Sequence, residues 1–109
     1  MTGRDEAQAA YFALLRAREE QQLLARHEEY LHAELRRLRR TTAEERALRD
    51  AAPPGPRRPL RASDEALEEV VDRRVALLED ELERLPARLA AAAAFVEECE
   101  RTSRLLGQG

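Results

Sequence analysis

Residues 51–60 read AAPPGPRRPL and hold four of the five prolines of this 109-residue chain. Proline lacks the backbone donor and pushes its predecessor out of the helical region, so no helix is expected to pass through this stretch. The sequence on either side is of another kind. Charged residues make up 38% and aromatics 4% of the chain, with alanine, leucine, glutamate and arginine dominant, which is the composition of long helices rather than of a large globular core. The length fits one domain. The chain therefore reads as a helix over about 5–50, a proline-rich linker over 51–62 and a helix over about 63–106.

The first helix has one apolar stripe. Leu24, Leu31, Leu35 and Leu38 follow each other at helical spacing, and Ala10, Leu14 and Ala17 extend the stripe upstream. Thr2 with Asp5 resembles a capping box, and Thr41 or Thr42 could cap a new helix, so a break near Arg40–Thr42 is an alternative. The second helix is expected to start at Ser63, a good N-cap followed by Asp64 and Glu65. Its stripe runs Val71, Val75, Leu78, Leu82, Leu85, Leu89, Ala92, Val96 and Cys99, alternating spacings of 4 and 3. That is a 3.5-residue repeat, a coiled-coil signal. Leu106 continues the same stripe. Pro86 interrupts the repeat and predicts a kink, with the stripe resuming in phase beyond it. Gly107 is a natural stop.

Two helices of equal length joined by a short turn predict an all-α, antiparallel two-helix hairpin. The apolar stripes fit one register, in which paired residue numbers sum to 113. Leu38 then meets Val75, Leu35 meets Leu78, Leu31 meets Leu82, Leu24 meets Leu89, Ala17 meets Val96, and Leu14 meets Cys99. A second apolar set is expected beside the stripe: Phe12, Leu15, Leu23 and Tyr30 on the first helix, and Val70, Leu77, Ala91, Phe95 and Leu105 on the second. A two-helix hairpin buries one narrow seam, and a wider apolar face needs more helices around it. These nine residues are the expected protein interface, used either by a homodimer forming a four-helix bundle or by a helical partner protein.

Sites of chemistry are harder to find. His27 and His32 do not share a helix face. Glu29 and His32 match the Glu-x-x-His spacing of di-iron bundles, but they fall opposite the leucine stripe, so no metal site is expected. Cys99 lies on the core stripe beside Glu97, Glu98 and Glu100, which disfavour a thiolate. One cysteine excludes an internal disulfide and fits a reducing compartment. The carboxylates are scattered along solvent faces, and the four glycines form no phosphate loop. No catalytic constellation and no cofactor site emerges.

The charges are patterned instead. All 19 basic residues are arginine, and the net charge is -3. From Arg36 to Arg61 nine arginines meet three acids, whereas from Asp64 to Glu83 nine acids meet two arginines. In the hairpin these stretches lie side by side and should pair across it. Arg36, Arg37, Arg57, Arg58 and Arg61 are the candidate basic contacts near the tip. No aromatic residue lies between Leu31 and Phe95, so stacking on bases has no support.

The expected function is a non-enzymatic protein–protein interaction module: an assembly subunit, adaptor or small regulator. The alternative is a regulator whose basic tip contacts nucleic acid or an acidic partner. A di-metal bundle comes third. The polar N-terminal stretch MTGRDEAQ does not resemble a signal peptide, and the longest apolar run, Leu89–Val96, is too short to span a bilayer. An intracellular location, cytoplasmic or nuclear, is expected.

Overall fold

The computed structural model describes residues 2–51 and 58–107, with the side chains of 3–51 and 63–107. Two helices account for them, α1 (Thr2–Ala51) and α2 (Arg58–Gly107). The helices pack against each other and no strand occurs among the described residues, so the fold is an all-α helical hairpin.

Three boundaries differ from the sequence reading or refine it. α2 starts at Arg58, five residues before Ser63. Pro59 lies in its first turn, where the missing N–H would have had no helical partner and the fixed φ suits a helix. Ser63 is thus an interior residue rather than the cap, and of the expected linker only residues 52–57 lie outside the described residues. α1 continues through Arg40–Thr42 without a break. There the Thr42 hydroxyl donates to the Leu38 carbonyl at 2.8 Å, one turn back along the same helix, so the threonine serves the helix interior instead of starting a new one. α2 also continues through Pro86, whose ring is exposed.

The chain forms two compact units, and each helix contributes a segment to both. Unit 1 comprises Met1–Glu29 with Arg84–Gly109; unit 2 is Tyr30–Glu83. In unit 1, Leu14, Ala17, Val96 and Cys99 form one buried cluster. These are the Leu14–Cys99 and Ala17–Val96 pairs of the expected register. Leu85 is fully buried in the same unit, while Leu24, Leu89 and Leu106 are half-buried. In unit 2 the core is Leu31, Leu35 and Leu78, with Leu38, Val71, Val75 and Leu82 half-buried around it. Each leucine withdrawn from water contributes roughly 2 kcal/mol, so the seam is the main source of stability. Toward the linker the seam turns polar. Arg49 and Glu68 take the places where leucine would continue the stripes, and both are half-buried.

Candidate interaction surfaces

Heptad letters locate the remaining side chains. With seam residues at a and d, α1 has Leu14, Leu35 and Arg49 at a, and α2 has Glu68, Val75 and Val96 at a. The flanks of the seam are then e and g. Reversing one helix brings matching flanks to the same side, so e meets e along one edge and g meets g along the other.

Ion pairs cross the e edge in both units. In unit 1, Arg18 pairs with Glu100 at 3.3 Å. In unit 2, Arg39 pairs with Glu79 at 2.6 Å. All four residues are at e. At the polar end of the seam Glu68 accepts from Arg49 and lies 3.8 Å from Arg46. The Arg49 bond, more than the added charge of Arg46, holds the Glu68 carboxyl below its usual value against the opposing effect of desolvation. Cross-hairpin pairing of α1 arginines with α2 acids is therefore present as expected, though the Arg18–Glu100 and Arg39–Glu79 pairs are exposed and each adds little stability.

The g edge is different. In unit 1, Ala10, Ala13, Phe95, Glu98, Cys99 and Thr102 line a shallow groove of about 270 Å³. Ala13, Phe95 and Thr102 are at g, and the small alanine side chains leave the groove open. In unit 2, Glu34 at g bonds to Arg37 on its own helix at 2.7 Å, and this bond is the chief cause of its lowered pKa. The charge of Arg74, at g on α2, acts in the same direction.

All nine expected interface residues are exposed: Phe12, Leu15, Leu23, Ala91, Phe95 and Leu105 in unit 1, and Tyr30, Val70 and Leu77 in unit 2. Their arrangement needs one correction. They do not all flank the seam. Phe12 at f and Leu15 at b point away from it, because a helix turns them nearly half a revolution from a and d. Only Phe95 occupies a flanking g position, and the others sit at c. Tyr11, Leu48 and Leu67 are also exposed, at 51%, 72% and 60%. The sequence reading passed over these three. The signal was there for Leu48 and Leu67, which fall at g once the seam fixes the heptad phase.

The candidate basic residues separate. Arg37 is engaged by Glu34. Arg36 is exposed and forms no ion pair among the described residues; the neighbouring Arg40 is in the same state. Arg57 lies outside the described residues, and for Arg58 and Arg61 only helical backbone is described.

Glu29 and His32 are both exposed. Among the described residues no group of three or more His, Cys, Asp or Glu side chains is placed to hold a metal ion, and no helix is long and apolar enough to cross a membrane. A second groove in unit 1, about 390 Å³, is lined by Leu14, Arg18, Glu100, Ser103 and Arg104. Its polar groups include the Arg18–Glu100 pair, which are already bonded to each other. No protein-family model, curated protein or solved structure matches the chain.

Proposed function

We propose that this chain is a non-enzymatic interaction module, an assembly subunit, adaptor or small regulator that works through the apolar side chains its hairpin leaves outside. One observation carries the reading. Among the described residues eleven large apolar side chains are exposed, from Leu15 at 37% to Leu105 at 73%. Scattered single leucines on a surface need no explanation, but rows of them on helix faces mark contact surfaces. Tyr and Phe among them suit interface anchors. The expected partners are a second copy of the chain, a helical protein, or both.

The experiment is capture of binding partners by the purified chain, followed by exchange of Phe12, Leu23, Leu77 and Phe95 for glutamate. Helix content should be unchanged, because all four are outside the seam. Every association should weaken. Association that survives all four exchanges would overturn the reading.

A second reading has a specific observation behind it. Arg36 and Arg40 lie one turn apart, exposed, with no carboxylate engaging either among the described residues. They suit an acidic protein or the phosphates of a nucleic acid. Binding of DNA or RNA by the unmodified chain at low salt, lost in Arg36→Glu with Arg40→Glu, would support this reading. No binding at low salt removes its nucleic-acid branch.

A further inference from the structure

In unit 2 the exposed apolar side chains share one side. Tyr30, Val70 and Leu77 are at c, and Leu48 and Leu67 are at g. They are between 52% and 72% exposed. Since g of α1 lies beside g of α2, these five residues of two helices form a single face. The opposite, e side of the unit is strongly charged. It carries Arg39 and Arg46 on α1, and Glu65, Asp72 and Glu79 on α2, all exposed.

We propose that this g-side face of unit 2 is the contact surface for a second copy of the chain, related to the first by a twofold axis. The inference rests on the reading that the exposed apolar rows are contact surfaces, and it assigns both the face and its occupant. Three arguments favour a second copy. The first is width. The face spans two helices, with Tyr30 and Leu48 from α1 and Leu67, Val70 and Leu77 from α2. A single partner helix presents one narrow apolar stripe and would cover only part of that width. A second hairpin sets one helix over each helix of the face. The second is charge. A twofold contact brings a surface against itself, so a surface of one sign repels its copy. Glu34, Glu44 and Glu81 stand here with Arg37 and Arg74, so both signs are present, which allows carboxylate of one copy to meet guanidinium of the other. The e side is the poorer match, because its e and b positions carry Asp50, Glu65, Glu69, Asp72, Glu79 and Glu83 against only Arg36, Arg39 and Arg46. The third is area. The α1 segment of this unit, residues 30–51, is ~33 Å long at ~1.5 Å per residue, and two helices abreast are ~20 Å wide. Face to face, two copies would bury on the order of 1,300 Å² in total, within the range of specific protein contacts.

The test uses the full chain and its mass in solution. Sedimentation at micromolar concentration should give twice the chain's 12.4 kDa. Val70→Glu with Leu77→Glu should raise the dissociation constant by on the order of 100-fold or more and yield a monomer of unchanged helix content. Two controls keep the outcomes apart. Ala76→Glu, on the far side of the same helix segment, should leave the dimer intact. Phe12→Glu with Leu105→Glu, in unit 1, should do the same. Dissociation by the unit 1 exchange and not by the unit 2 exchange would overturn this face while sparing the reading beneath it. A wild-type monomer throughout the micromolar range would overturn the second copy as occupant. The broader reading would then stand only if a captured partner is lost on exchange of exposed apolar residues, and would fail otherwise.

Discussion

At the scale of single residues, depth in the seam decides what matters for stability. Leu78 is 2% exposed and Leu105 is 73% exposed, although both are leucines in α2. Leu78→Ala removes buried methyl groups and leaves a cavity in unit 2, so it should cost about 2–5 kcal/mol in urea unfolding. Leu105→Ala should stay within about 0.5 kcal/mol, because its side chain is already mostly in water. Equal effects of the two exchanges would mean that the seam is misplaced. The depth of Leu78 was legible in the sequence because the 4 and 3 spacing has a single phase, and that phase puts Leu78 inward. The exposure of Phe12 and Leu15 was legible from the same spacing, since they fall at f and b. Placing them beside the seam overlooked how narrow the flanks of a two-helix seam are.

At the scale of the helices, local rules and packing compete at the ends and at the prolines. Ser63 has the side chain of a good cap, with two acids following it, and local chemistry alone starts α2 there. The structure starts it at Arg58, and Pro59 in the first turn removes the apparent obstacle. The two placements differ in a measurable way. A cap serine replaced by alanine loses about 1 kcal/mol. An interior serine replaced by alanine gains a few tenths of a kcal/mol, since alanine is the better helix former. Ser63→Ala should therefore leave the chain as stable or slightly more so by thermal unfolding, and a loss near 1 kcal/mol would restore the cap. Pro86 poses the converse case. Its ring is exposed, so little packing depends on it, while an interior proline costs about 3 kcal/mol relative to alanine. Pro86→Ala should raise the urea midpoint by an amount worth ~1–3 kcal/mol. The missing hydrogen bond is the reason to expect a kink; that α2 is one helix through Pro86 reflects the seam on either side, where Leu85 and Leu89 keep their phase.

At the scale of the whole molecule, the apolar stripes bring the two helices together and ion pairs bridge one edge of the seam. Six apolar pairs fall in one register of the sequence, which made an antiparallel pairing of the helices legible. The charge pairing was legible as a net contrast between two stretches. Its division was not, since a sum over Arg36–Arg61 cannot show that Arg37 turns to Glu34 and Arg39 to Glu79. The two carboxylates with lowered pKa, Glu34 and Glu68, connect this charge pattern to pH. Their folded values lie below the unfolded one, so at acid pH the unfolded chain binds more protons than the folded chain. The stability they contribute is fully present above the ordinary carboxylate value of about 4.3 and is lost as pH falls through the lower folded values. Thermal midpoints followed by circular dichroism at fixed protein concentration should be level near neutrality and decline below about pH 4.3. Glu34→Gln with Glu68→Gln should lower the neutral midpoint and make the acid decline shallower. Glutamine keeps the shape of each contact but cannot titrate, so an unchanged acid slope in this variant would place the pH dependence on other carboxylates of the chain.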